Sequence, residues 1–146
     1  MTDALDAFLA GDRPDDVALF LADAAVDDPE ALADRGVRVD GGVVLVVDGE
    51  RGRRVFTSVT GADAMGFARE AGAREGDIAP DLSAGTCPEA DHDVAGEDHA
   101  AQFVFAFAEA QNEDVGGIYA EGDVVHAYAR CDCGAGYSQR WVAGER

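Results

Sequence analysis

The chain has 146 residues, 30 acidic against 11 basic, with a formal net charge of -19 and a hydrophobic share of 47%. That length suits a single domain over residues 1–146, able to bury roughly 70% of its unfolded surface, and the apolar share excludes a disordered acidic chain. Every basic residue is Arg, and the absence of Lys removes the phosphate-binding Lys of P-loop and kinase sites together with every Schiff-base mechanism.

Near the N-terminus, Leu5, Phe8 and Leu9 fall on one helical face that Gly11 is placed to end. Pro14 opens a second predicted helix carrying Val17, Phe20, Leu21 and Ala24 at i, i+3, i+4 and i+7. Asp28 before Pro29, with Gly36 closing, marks a third. From Val37 the period changes to two. Residues 37–39, 43–47 and 55–59 are β-branched runs separated by Asp40-Gly41-Gly42 and by Asp48-Gly49-Glu50-Arg51-Gly52, which predicts a three-stranded meander. Thr60, with Asp63 three residues on, is then the expected N-cap of a helix carrying Ala64, Phe67, Ala68 and Ala71.

Residues 72–98 are rich in Asp, Glu, Pro and Gly and lack periodicity. They read as a long acidic loop or insert, and loops of that length are usually functional or disordered. In residues 102–108 the alternation of Phe103, Phe105 and Phe107 favours a strand, although Phe103, Phe107 and Ala110 also fit a helix. Residues 118–120, 124–131 and 137–142 complete a second antiparallel meander. The expected fold is therefore α+β: short N-terminal helices, antiparallel β-meanders, one middle helix and a long acidic loop.

Every Cys and His lies between positions 87 and 133, and Cys131-Asp132-Cys133-Gly134 forms a tight unit. In the strand 124–131, alternation puts Val125, Ala127, Ala129 and Cys131 on one face and Val124, His126, Tyr128 and Arg130 on the other. Extended residues two apart lie about 6.6 Å between Cα atoms, long for a disulfide but compatible with two thiolates converging on one ion. Zinc favours four ligands, so Cys87 supplies the third thiolate and His92 or His99 the fourth, with His126 facing away. The spacings match no standard zinc-finger pattern. Two other readings stand beside zinc: thiols that simply pack as small apolar groups, and a redox pair of Cys87 with either partner.

Other enzyme signatures are missing: there is no Gly-x-Ser-x-Gly elbow and no His-Glu-x-x-His helix. Arg51, Arg53 and Arg54 form the one local basic cluster, better suited to internal salt bridges than to phosphate in so acidic a chain. Tyr128, Tyr137 and Trp141 could make a base-stacking platform, but without surrounding cations core packing or a protein interface is favoured, and no nucleic-acid binding is expected. The acidic start Met1-Thr2-Asp3-Ala4-Leu5-Asp6 lacks the cationic region of a signal peptide, and the apolar run 43–47 is too short to cross a bilayer. A soluble cytoplasmic protein is expected, and three cysteines suit a reducing compartment.

At molar salt the Debye length falls to about 3 Å, which screens self-repulsion of this size. Abundant Asp, Ala, Val and Gly, with two Ile, one Asn and no Lys, resemble the composition of proteins from halophilic archaea. The segments Arg13-Pro14-Asp15-Asp16-Val17-Ala18-Leu19-Phe20-Leu21, Val43-Val44-Leu45-Val46-Val47-Asp48-Gly49-Glu50 and Gly122-Asp123-Val124-Val125-His126-Ala127-Tyr128 resemble an uncharacterised haloarchaeal family over most of the chain. That resemblance implies a lineage and carries no activity or site residue with it. The expected function is a non-catalytic cytoplasmic binding or regulatory module with a protein partner and a structural zinc. The enzyme alternative is a thiol-redox or zinc-dependent hydrolytic activity with Asp91 or Asp132 as base.

Overall fold

The computed structural model describes residues 3–12, 15–23, 30, 34, 36–39, 41–61, 63–78, 82, 85–86, 101–131 and 136–144. Its centre is one six-stranded antiparallel sheet. In chain order the elements are α1 (Asp3–Leu9), β1 (Asp16–Ala22), β2 (Val37–Val39), β3 (Gly42–Asp48), α2 (Gly49–Thr60), α3 (Ala64–Ala71), β4 (Asp77–Ile78), β5 (Gly85–Thr86), β6 (Ala101–Glu109), α4 (Ile118–Glu121), β7 (Val124–Cys131) and β8 (Gly136–Val142). The strand order is β2-β3-β1-β6-β7-β8, and β4 pairs with β5 in a separate two-stranded ladder. Mixed helix and strand content with an antiparallel sheet agrees with the α+β expectation, but the arrangement differs in four places.

The first difference is β1. Residues expected to form a second helix are instead a strand sandwiched between β3 and β6. Val17, Leu19 and Leu21 face one side of the sheet, Ala18 and Phe20 the other, and all five are buried. A strand closed on both faces needs apolar residues at every position, so the period-two signal vanishes and a helical spacing appears by coincidence. Because β1 joins both halves, the two expected meanders are a single sheet.

The second difference is α2, where a strand over 55–59 was expected. Asp48 caps this helix: its carboxylate accepts from the Arg51 N–H at 3.0 Å, and Glu50 sits in the positive first turn. Gly61, at φ 74°, ends it with an N–H donated to Thr57 O. Thus Asp48-Gly49 starts a helix, although the same pair is also the chemistry of a hairpin turn. Gly52 and Phe56 are its buried residues, and a Cβ at Gly52 would overlap the Val17 side chain, so glycine is what lets α2 lie directly on β1.

The third concerns α3, whose N-cap is Asp63, accepting from the Gly66 N–H at 2.9 Å. The predicted cap, Thr60, closes the previous helix instead, and its hydroxyl donates to Phe56 O. Fourth, residues 118–120 form the short helix α4 rather than a strand.

Elsewhere the sequence-based elements hold. Helix α1 buries Leu5 and Phe8 and is closed by Gly11, whose N–H donates to Phe8 O at φ 88°. The strands β2, β3, β6, β7 and β8 lie where the β-branched runs and the alternating segments placed them. Most of the third predicted helix, and most of the expected loop over 72–98, lie outside the described residues; within the latter, β4 and β5 pair and Leu82 is buried at φ 69°.

Two apolar layers flank the sheet. One gathers Leu5 and Phe8 of α1 with Phe20, Ile78, Leu82, Val125, Cys131, Tyr137 and Trp141. The other gathers Phe56 of α2 and Phe67 of α3 with Leu19, Leu45, Phe103 and Phe105. Along the outer side of β8 the chain adds a further contact. Glu75 bridges Ser138 in parallel, Gly76 N–H donates to Ser138 O, Ser138 N–H donates to Arg74 O, and Ile78 N–H donates to Gln139 Oε1. Among the described residues no helix is long and apolar enough to cross a membrane.

Candidate ligand-binding surface

Helix α2 lies over β1 and β3, and α3 over β7 and β8, so one corner of that sheet face has neither helix above it. Cross-strand register brings Phe107 of β6, His126 of β7 and Arg140 of β8 into one row there. Tyr128 stands two residues along β7 from His126 on the same face. The rings form a nearly parallel rack: Phe107 and His126 are 5.1 Å apart at 22°, Phe107 and Tyr128 are 5.8 Å apart at 21°, and His126 and Tyr128 are 6.5 Å apart at 6°. Cross-strand aromatic pairs of this kind stabilise a sheet by roughly 0.2–1 kcal/mol each.

The turn before β7 completes the corner. Gln111 N–H donates to Asp123 Oδ1, Gln111 Nε2 donates to Ala120 O, and Asn112 N–H donates to Tyr119 O, which folds α4 back and sets Tyr119 6.0 Å from the His126 ring. Arg140 donates from Nη1 to the Tyr119 hydroxyl at 3.3 Å, with its guanidinium carbon 5.7 Å from the ring centroid. His126 Nε2 lies 2.8 Å from Glu109 Oε1, and the His126 side chain is only 13% exposed. Burial, followed by the neighbouring Tyr119 and Glu109, raises the Tyr128 hydroxyl above its usual range, so it is a neutral donor at ordinary pH.

Beside this corner runs an open groove of about 460 Å³. Its floor is Val17, Phe105, Phe107 and Ala108; Met65 of α3 forms a half-exposed apolar lip; and Asp15, Asp16, Glu50 and Arg53 rim it. Phe107 belongs to both features, so groove and ring rack form one continuous surface.

The residues expected to carry chemistry fall differently. Cys131 ends β7 and is completely buried in the apolar layer that also holds Leu5 and Phe8 of α1, on the face predicted for it. His126 is on the opposite face, as alternation required. Cys87, His92, His99 and Cys133 lie outside the described residues, as do Asp91 and Asp132. Among the described residues no group of three or more His, Cys, Asp or Glu side chains is placed to hold a metal. Tyr137 and Trp141 are buried on the face away from Tyr128, so the three do not form a common platform. The Arg51, Arg53 and Arg54 cluster sits on α2; Arg51 pairs with Asp48 and Arg54 with Glu50, in line with the salt-bridge reading.

The row Phe107, His126, Arg140 was missed because alternation gives the face of a residue but not its neighbour on the next strand. The signal available was the His126 and Tyr128 pair on the face opposite Cys131.

Residues 36–144 match the family of unknown function DUF5807, and the chain belongs to that family. The match covers the His126 corner and omits α1 and β1, and with them one wall of the groove. Comparison with curated proteins and with solved structures finds no match.

Proposed function

We propose that this member of the DUF5807 family is a non-catalytic binding module, acting in a salt-rich cytoplasm, whose ligand surface is the Phe107–His126–Tyr128 corner together with the adjoining groove. The observation that carries the reading is the gathering of four rings, a guanidinium and a carboxylate at the part of the sheet face that α2 and α3 leave open. Half-buried aromatic groups edged by polar ones on a rigid sheet are a usual anatomy of a recognition surface. Catalysis is less well supported. The described corner offers a His126–Glu109 pair, while Ser138, the hydroxyl on the same face, donates to Arg74 O, so the base has no nucleophile beside it to activate.

Amide chemical-shift mapping of a small fragment set, in protein kept folded by molar KCl, tests this proposal. Binding fragments should perturb residues 105–109, 126–128 and 49–53 together. Perturbations confined to the α1 face would overturn it.

A structural zinc on Cys87, Cys131, Cys133 and His92 or His99 belongs to the same proposal. It is favoured by one observation: Cys131 shares a buried cluster with Ile78 and Leu82, both from the 72–98 segment that the metal would tie down. The same burial weighs against thiol-redox chemistry, which needs an accessible thiolate. Stoichiometric zinc in protein purified at high salt supports the tie, and metal-free folded protein refutes it.

A further inference from the structure

The groove beside Phe107 has an apolar floor and an acidic rim, and we propose that its occupant is a cationic, apolar-flanked segment of a different protein. An Arg or Lys side chain of that segment would lie along Phe107 while its neighbour fills the space under Met65. This inference rests on the binding-surface reading above and names the partner.

Local and global charge point the same way. Among the described residues Asp15, Asp16 and Glu50 rim the groove together with Arg53. The helix end that opens into it, which would otherwise attract anions, is already occupied by the Asp48 carboxylate. Glu50 pairs with Arg54, but both side chains are more than 70% exposed, so the pair is weak and readily exchanged for another cation. At the scale of the whole chain, two alternative occupants are themselves anionic. A second copy brings another net charge of -19, and a nucleic acid brings a line of phosphates with few Arg side chains to release its counterions. A basic partner meets the rim carboxylates at contact, where opposite charges attract and like charges repel even though a screening length of about 3 Å removes the longer-range field at molar salt.

The floor supplies the other half of the recognition. Phe105 is buried and fixed by packing, Phe107 is stacked on His126, and Met65 is 50% exposed at the lip. A thioether adapts its shape to an incoming side chain, and an aromatic face attracts a guanidinium laid over it.

The test titrates uniformly labelled protein with two short acetylated peptide amides, Arg-Leu-Arg-Phe and Glu-Leu-Glu-Phe, at two KCl concentrations that both keep the native spectrum. The basic peptide should shift amides of residues 15–17, 49–53 and 105–108 and the Met65 methyl, and bind at least about tenfold more tightly than the acidic one. The double variant D15N/E50Q should remove most of that preference while retaining residual binding through the floor. Met65→Ser should weaken both peptides, and neither variant alters a buried residue. Equal binding of the acidic peptide in the groove overturns the cationic occupant yet leaves the surface reading intact. Absence of any shift with either peptide, or shifts elsewhere on the molecule, also overturns the proposal.

Discussion

Along β7, Val125, Ala127, Ala129 and Cys131 are completely closed off in the apolar layer that also holds Leu5 and Phe8 of α1, whereas His126, Tyr128 and Arg130, alternating with them, run from half-buried to exposed. One strand thus shows two treatments of the same backbone. The closed side of the strand holds small and apolar groups, and its role is cohesion. The other side is sealed only where Phe56 and Phe67 lock onto Phe103 and Phe105; beyond them it carries a histidine, two phenols and a guanidinium. Recognition chemistry gathers where the covering layer stops.

The broadest way to break this contrast is to remove salt. The net charge of -19 needs screening, so the melting midpoint should fall when molar KCl is replaced by millimolar, by more than any single substitution below. The sole tryptophan, Trp141, reports the α1 side, and Tyr119 and Tyr128 report the open corner once Tyr137, buried on the Trp141 side, is replaced by Phe. Coincident transitions by fluorescence and phenol absorbance would show the two sides melting as one unit; an earlier loss at the corner would show that it is separately stabilised.

Next in size is Phe56→Ala. This ring is fully buried and lies 5.2–5.4 Å from Phe67, Phe103 and Phe105, so truncation should cost about 3–5 kcal/mol in denaturant unfolding at molar KCl. A cost below about 1 kcal/mol would mean that α2 is only loosely docked. Cys131→Ser should cost about 1–3 kcal/mol by placing a hydroxyl in the buried apolar layer that holds Ile78 and Leu82. With the zinc tie present, it should also release one equivalent of metal; loss of stability alone assigns Cys131 to packing.

Local sequence patterns encode only part of these elements. The strand β3, although buried on both faces, followed from its β-branched run between turn residues, and the two faces of β7 followed from alternation. Strand β1 did not, since Val17 to Leu21 meet protein on both sides, lose the period that marks a strand and include a single β-branched residue. Helix α2 was hidden by ambiguous local chemistry: Asp48-Gly49 caps a helix as readily as it turns a hairpin, and Val55, Thr57 and Val59 favour strands until Phe56 is buried under them. For the surface, His126 and Tyr128 were legible as a pair, but their partnership with Phe107 and Tyr119 depends on register and on the α4 turn, which no short-range pattern encodes.

Smaller effects sharpen the picture. Glu109→Gln should change stability by about 1 kcal/mol or less, because the carboxylate is half exposed and surface pairs contribute little; a larger loss would make the His126 pair a structural strut. Tyr128 titrates above its ordinary value of 10.0. Its contribution is complete below that pH and is lost as pH climbs through the raised value, so Tyr128→Phe should flatten the alkaline decline in melting temperature. The smallest effect belongs to Asp48, whose pKa is lowered, chiefly by the Arg51 N–H. Its contribution is present above 3.8 and disappears as pH falls through the depressed value. Asp48→Asn should therefore retain the cap and lose only this acid-side dependence.

The contacts that residues 74–78 make along β8 have a bearing on how this molecule behaves in a crowd. A bare outer strand is a template onto which another chain can zip, the first step toward fibres. Here Arg74, Gly76 and Ile78 have taken up hydrogen-bonding positions at Ser138 and Gln139. At the far margin, β2 is three residues long, with Arg38 clamped to Asp23 at 2.6 Å. In concentrated brine, where repulsion between copies is felt only near contact, such plugs and stubs would help to keep neighbouring molecules from polymerising.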